Sequence, residues 1–306
     1  MHKILSFYEF NTFDFLDIKE NQKILLNNCK SLGIKGTIIL AEEGINGTIC
    51  GTEISIEEIT SIIYKLNFNP NIKTSFSKSN AFKRLKVKIQ PEIVTFDGLG
   101  KFASNTGEFI DPEDWDNFIK NKDVEIIDVR NFYETVIGKF PNSKDPNTER
   151  FTDFIEFVEK ELVKVKNKKI AMYCTGGIRC EKASSYMKDI GFENVYQLRG
   201  GIINYLNSVD KKNGSWKGEC FVFDERVSLD YGSEEGTFNL CHGCRNPIDK
   251  NDKESIYYEE GVSCPSCINI RSGEQNEKSR QRQAQIVFAR KDKIYKGFLP
   301  PSKTRM

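Results

Sequence analysis

The chain has 306 residues, of which 38% are hydrophobic and 29% charged, and its formal net charge is +1. That length suits about two domains, or three small ones. A balance so near neutral supplies no global field of the kind that marks a nucleic-acid binder. No run approaches the roughly 18 apolar residues of a membrane span. The opening MHKILSFYEFNTFDF acquires acidic residues too early for a signal peptide. These features predict a cytoplasmic protein with reduced thiols, so its nine cysteines call for reactivity or metal rather than a disulfide framework. The two histidines, His2 and His242, are too few and too badly placed for a Ser-His-Asp site or a two-histidine iron centre.

In chain order, residues 3–10 read as a strand and 14–32 as a helix. IKGTIILAE and INGTICG follow as two strands around an Asn46-Gly47 turn, a favoured hairpin signal. Ser55-Ile56-Glu57-Glu58 reads as a capping box before Ile56, Ile59, Ile62, Ile63 and Leu66, which recur at helical spacing. KTSFSK and FKRLKVKIQ return to strand. This order predicts a ferredoxin-like α/β sandwich over residues 1–97. In FKRLKVKIQ, alternation separates Leu85, Val87 and Ile89 from Arg84, Lys86 and Lys88. The basic face is either solvated charge or a stripe for a phosphate backbone.

Residues 98–112 (GLGKFASNTGEFIDP) read as a Gly-rich linker. Gly98-Leu99-Gly100 is no dinucleotide fingerprint, because Ser104-Asn105-Thr106-Gly107 admits no helix directly after it. From residue 112 to 212, helix and strand alternate: helix 112–120, strand 124–130, helix 151–164, strand 169–175, helix 180–190, the strand ENVYQLRG, and a short helix after Gly200-Gly201. Alternation of this kind predicts a parallel sheet with helices on both faces.

YCTGGIRCEKAS (173–184) lies where such a sheet collects ligands, beyond the carboxyl end of the strand IAMY. Gly176 and Gly177 let the backbone curl into an anion-binding nest. The helix dipole and Arg179 add positive charge, so Cys174 is predicted to be a thiolate nucleophile of lowered pKa. Arg179 and the Gly176-Gly177 backbone are its expected stabilisers. Cys174 and Arg179 bracket four residues. Cysteine phosphatases of the tyrosine-phosphatase type place five there, so the tighter ring favours sulfur chemistry over phosphoryl transfer. Cys180 is either packed on the sheet or a resolving thiol. Glu181 and Lys182 read as helix surface.

CTGGIR, preceded by IDVRNFYE and followed by GFENVYQLRGGI, resembles a rhodanese domain, with Asp128-Val129-Arg130 matching its first strand and Gly138-Lys139-Phe140 the segment beyond. With AEEGINGTI, RGGIINYL and FVFDERV (221–227), most of the chain resembles the oxygen-dependent tRNA wobble-uridine hydroxylase family. The resemblance implies an oxidoreductase that makes 5-hydroxyuridine at the wobble position with molecular oxygen as co-substrate. It also implies that Cys174 is the essential cysteine, described as a persulfide intermediate. No flavin fingerprint, haem-attachment motif or non-haem iron site is recognisable, and a Cys174 thiolate or persulfide acting directly in the oxygen chemistry fits the residues. Two readings of other kinds stand beside this one: a sulfurtransferase passing persulfide sulfur to a thiophile or a protein, and a catalytically idle RNA-binding scaffold.

The segment 213–306 carries Cys241-His242-Gly243-Cys244 and Cys264-Pro265-Ser266-Cys267, nineteen residues apart. That spacing predicts a closed four-cysteine structural zinc site in residues 237–270, with a short hairpin (SIYYEEGVS) between the knuckles. From Lys278 to the end stand nine Lys or Arg and one acidic residue, Asp292. Lys278, Arg280, Arg282, Lys291, Lys293 and Lys296 are interleaved with Phe288, Tyr295 and Phe298. This basic tail (278–306) is expected to be an arm for RNA, by phosphate contacts and stacking. An anticodon loop would be the partner, its wobble base splayed out to reach Cys174.

Overall fold

The structure, a computed structural model, describes residues 1–291, with side chains through Phe288. The chain forms two compact units, one through Gly236 and one from Thr237.

The first unit opens with β1 (His2–Phe10), α1 (Phe15–Ser31), β2 (Lys35–Ala41), β3 (Gly44–Gly51), α2 (Glu53–Lys65), β4 (Asn71–Ser77) and β5 (Leu85–Ile89). They build one sheet in the order β4-β1-β3-β2-β5. Neighbours are antiparallel except β5, which adds to the β2 edge in parallel. This is the expected ferredoxin-like order with one extra edge strand. Leu5, Phe7, Ile38, Leu40, Ile45 and Ile49 turn to one face, where Ile18 and Leu25 of α1 and Ile56, Ile59 and Ile63 of α2 close the core.

Two local expectations are corrected. The β2–β3 turn is made by Glu42 and Glu43, and Asn46 and Gly47 sit inside β3, paired with Tyr8 and Phe7 of β1. Gly47 is there for space: a Cβ would lie 2.6 Å from the Phe7 ring. The α2 cap is Thr52, whose hydroxyl accepts the Ser55 N–H; Ser55 stands three positions further in, and its hydroxyl donates to the Leu32 carbonyl.

A second sheet follows, with β6 (Glu108–Ile110), α3 (Pro112–Ile119), β7 (Val124–Asp128), α4 (Phe132–Thr135), β8 (Gly138–Lys139), α5 (Phe154–Lys160), β9 (Lys169–Tyr173), α6 (Ile178–Asp189), β10 (Val195–Leu198) and α7 (Gly201–Ser208). Its order is β6-β10-β9-β7, all parallel. β6 lies within the stretch read as a linker and forms an edge of this sheet. One face packs Ile127, Ile170 and Met172 against Phe154, Val158, Ala183 and Met187 of α5 and α6. The other packs Ile126, Ala171 and Tyr173 against Trp115 of α3 and Ile202, Tyr205 and Leu206 of α7. Both faces of the sheet are therefore covered, as the alternation predicts. The chain then runs through β11 (Lys217–Gly218), β12 (Cys220–Phe221) and β13 (Ser228–Leu229), with β11 paired to β8 and Trp216 and Cys220 buried in the same core.

The two sheets meet directly. The face of the first sheet opposite α1 and α2 carries Tyr8 of β1 and Lys73 of β4, which bond to Glu181 of α6 and to the Gly176 carbonyl, and Ser75 of β4, which accepts from Arg226. Lys182 of α6 is buried between Glu43 and Glu92, with Nζ 2.7 and 2.9 Å from the two Glu43 carboxylate oxygens and 3.0 Å from the Val94 carbonyl. Lys182 and Glu181 are thus not helix surface. Ala183, Ser184 and Ser185 beside them are small because α6 is packed on more than one side.

The unit from Thr237 contains β14 (Asn239–Leu240), β15 (Pro247–Ile248), α8 (Lys250–Glu254) and α9 (Gly273–Lys291). β14 and β15 pair across the first cysteine knuckle. The hairpin expected between the knuckles is reduced to a single bridge, Glu259 to Ser263. The first part of the basic tail is helix, because Gly273–Lys291 winds continuously as α9. The side chain of Lys291, and Lys293, Tyr295, Lys296 and Phe298, lie outside the described residues. Among the described residues no helix is long and apolar enough to cross a membrane.

Candidate functional site

The loop 174–179 leaves the carboxyl end of β9 and enters α6 directly. Gly177 is the α6 N-cap at φ +105°, and its N–H donates to the Cys174 sulfur at 3.2 Å. The N-terminus of α7 supports the loop from behind, with the Ile202 and Ile203 N–H groups donating to the Cys174 and Thr175 carbonyls at 2.9 and 3.1 Å. Gly201 makes that approach possible: at φ +68°, a Cβ there would lie 2.5 Å from the Cys174 carbonyl oxygen.

Cys174 is fully buried. Burial opposes its ionisation, but hydrogen bonds from the Cys180 thiol, the charge of Arg179, and the N–H groups of Cys180 and Gly177 outweigh it, lowering the pKa to about 5. The sulfur is a thiolate at neutral pH. The Cys180 thiol is held in the opposite sense, pushed well up by burial and by its bond to the Cys174 sulfur. Cys180 packs on the sheet and is also the loop's thiol donor, a combination that one-turn spacing did not reveal.

Arg179 reaches the site differently from the simplest expectation. Its guanidinium forms a bidentate pair with Glu134, Nη1 to Oε1 at 2.6 Å and Nη2 to Oε2 at 2.8 Å, and also donates to the Thr175 hydroxyl at 3.2 Å. It acts on Cys174 through its charge. Glu134 is completely buried. Burial raises its pKa, but Arg179, Arg130 and the Asn131 N–H overcome that and hold it below the ordinary carboxylate range. Arg130 in turn pairs with Asp128 and donates to the Glu134 and Gly138 carbonyls. Asp128-Val129-Arg130 and Gly138 thus brace the residue that orients Arg179. In the sequence Glu134 was only the last residue of IDVRNFYE; in the structure it is the third residue of α4, and its side chain also accepts the Asn131 N–H.

The first sheet contributes two groups that no motif signalled. The Tyr8 hydroxyl donates to Glu181 at 2.6 Å, and Lys73 Nζ donates to the Gly176 carbonyl at 2.8 Å while lying 5.2 Å from the centroid of the Tyr8 ring. A Cβ on Gly177 would stand 2.7 Å from the Tyr8 hydroxyl, so the loop and β1 are fitted to each other. FVFDERV forms a third side. Arg226 pairs with Asp224 and donates to Ser75 of β4 at 2.8 Å, Phe221 packs on Tyr133, and the exposed Phe223 ring lies 6.0 Å from the Arg179 guanidinium carbon. Cys220, just before it, is buried, and burial pushes its thiol up to about 12.

Of the remaining predicted residues, Lys86 and Lys88 are exposed on β5 and Arg84 is partly exposed at its start, with Val87 turned inward. On α9, Lys278 pairs with Glu274, Arg280 grips Glu259 with two bonds of 2.7 Å, and Arg282 donates to the His242 and Gly261 carbonyls. Arg280 and Arg282 fasten α9 to the cysteine unit, whereas the Lys278 pair lies within α9. The sulfurs of Cys241, Cys244, Cys264 and Cys267 all lie within 4.8 Å of one another. Two of the separations are 3.7 and 3.8 Å, and a tetrahedron of thiolates about 2.3 Å from a central zinc has edges of about 3.8 Å. The donor set and its spacing fit a metal ion.

Residues 2–93 match the UPF0176 acylphosphatase-like domain and residues 111–208 the rhodanese-like domain. Among curated relatives, a protein of Picosynechococcus sp. named tRNA uridine(34) hydroxylase is 45% identical, over 92% of this chain and 96% of its own. One of the same name from Bartonella bacilliformis is 43% identical over 92% and 96%. Among solved structures, a rhodanese-like domain protein of Staphylococcus aureus is 26% identical, covers 32% of this chain and 90% of its own, and has a TM-score of 0.27.

Proposed function

The chain belongs to the tRNA uridine(34) hydroxylase family, and from that premise we propose that it hydroxylates the wobble uridine of tRNA at Cys174, giving 5-hydroxyuridine. The observation that carries the chemistry is the setting of the Cys174 sulfur, which accepts the Gly177 N–H at the start of α6 inside a six-residue loop beside Arg179 and Cys180, an arrangement that favours the thiolate. Such a sulfur can add to an electrophilic carbon or carry a second sulfur, and the tight ring favours either over phosphate transfer. Molecular oxygen is the co-substrate in this reading, which makes the enzyme an oxidoreductase; its tRNA substrate suits a place in the cytoplasm.

The residues divide the work. Cys174 is the reacting group. Arg179, held by Glu134, supplies a fixed positive charge, and the Gly177 N–H with the Cys180 thiol and N–H stabilises negative charge on sulfur. Phe223, exposed beside Arg179, suits stacking of a splayed pyrimidine. Lys86 and Lys88, with Arg84 beside them, offer a basic edge for the anticodon-loop backbone, whereas Lys278, Arg280 and Arg282 are already engaged within the cysteine unit. The four-cysteine cluster would hold zinc through Cys241, Cys244, Cys264 and Cys267. Four protein ligands leave no open position, so the ion would tie the knuckles and α9 together without taking part in the reaction.

The test is nucleoside mass spectrometry of tRNA from cells lacking the protein, complemented with wild type or Cys174→Ala. Return of 5-hydroxyuridine-derived wobble nucleosides with wild type alone is the expected result. Unchanged tRNA in the deletion strain would remove the hydroxylase reading.

A further inference from the structure

We propose that Lys73, seated on Tyr8, is a positioning residue of the cysteine site, so that the reactive centre is assembled from both sheets and not from the cysteine loop's own domain alone. This deepens the reading of Cys174 as the reacting sulfur and rests on it. Three observations converge. Lys73 Nζ is bonded to the carbonyl of Gly176 within the six-residue loop. Tyr8 is locked under it by the Glu181 hydrogen bond and lies so close to Gly177 that a side chain there would collide. The registers then fix both residues: Tyr8 pairs with Asn71, and Lys73 with Ser6, two positions along the same β1–β4 ladder, so both point from one face.

The groups that surround the Cys174 sulfur come from several elements. From α6 come Cys180, Arg179 and Glu181; from β1, Tyr8; from β4, Lys73. Arg179 is held in place by Glu134 and acts on the sulfur through its charge, and Glu181 is the acidic neighbour. Lys73, bonded to the Gly176 carbonyl, adds a second cation beside Arg179, this one from the first sheet. Its own ammonium is weakened by burial to a pKa of about 8, against the support of Cys174 and Glu181. It is charged at neutral pH and loses that charge in mild alkali. Turnover should accordingly fall as pH rises through about 8, through Lys73, while Cys174 stays ionised throughout.

The experiment compares wild type, Lys73→Met, Lys73→Arg and Tyr8→Phe for two readouts. One is the pH titration of the Cys174 thiolate, followed by its ultraviolet absorbance against a Cys174→Ser reference. The other is hydroxylation of tRNA across pH. Lys73→Met should raise the thiolate midpoint and slow hydroxylation about tenfold, a loss equivalent to roughly 1.4 kcal/mol. Lys73→Arg should restore the thiolate and carry the alkaline limb upward, because a guanidinium does not deprotonate there. A Lys73→Met protein with unchanged thiolate titration overturns the proposal, whether its activity is kept or lost. A shifted thiolate in a protein that leaves tRNA unmodified keeps Lys73 in place and removes the hydroxylase reading instead.

Discussion

At Cys174 a single sulfur is surrounded by two N–H groups, a thiol and a nearby arginine, whereas at Cys241, Cys244, Cys264 and Cys267 four sulfurs face one another. The protein itself balances the charge of the first, so that sulfur stays free to react. The second arrangement crowds four cysteine sulfurs within 4.8 Å, and as thiolates these could be neutralised together only by a bound cation. On the proposed reading, identical side chains become a reagent or a fastener according to where the compensating charge resides: in the backbone and Arg179, or in an ion.

The largest effect that sharpens this contrast is expected from Cys174→Ser. Hydroxylation of tRNA should disappear while the midpoint of urea unfolding is unchanged, since serine fits the same space. Cys264→Ser should do the reverse in the other unit, releasing the metal and loosening the fold around α9. Elemental analysis should find about one zinc per chain in wild type and much less in this variant. Full zinc content in Cys264→Ser would break the comparison.

Next in size is Lys182→Met. It leaves Glu43, fully buried, without its cation, and losing one partner of a buried pair costs about 3–5 kcal/mol. Denaturant unfolding followed by fluorescence checks it, and a loss below about 1 kcal/mol would place Glu43 in contact with water. The smallest effect is expected from Cys180→Ala, which removes one hydrogen bond to the thiolate. Such a bond to a charged group contributes about 1.5–3 kcal/mol, so the Cys174 midpoint should climb from about 5 by about one to two pH units. Cys180→Ser, which keeps a donor, should move it less.

Much of this architecture was legible before the structure, for identifiable reasons. Ile56, Ile59 and Ile63 at helical spacing and Leu85, Val87 and Ile89 in alternation report packing against a core, and periodicity reads that well. The cysteine loop was legible because glycines beside a cysteine and an arginine have few structural uses. Asn46-Gly47 misled because Gly47 answers to the ring of Phe7 on the neighbouring strand, not to a turn. Glu181 and Lys182 misled for a related reason: what covers α6 comes from residues 8, 43 and 92, well over eighty positions earlier in the chain. Tyr8 and Lys73 carried no local signal, because each acts across a contact between two sheets. Only the run Ala183-Ser184-Ser185 hinted that α6 is hemmed in on several sides.

The Glu43–Lys182–Glu92 cluster has a further consequence. Glu92 also accepts the Phe96 and Gly98 N–H groups, at 3.0 Å each, so the ion cluster and the start of the connecting segment are stitched together upstream of residue 99. A protease that nicks the chain between Gly100 and Gly107 would sever the covalent path while leaving these bonds intact. The two fragments should then elute as one particle and stay active as a non-covalent pair. That property would let either half be labelled, or replaced, independently of the other.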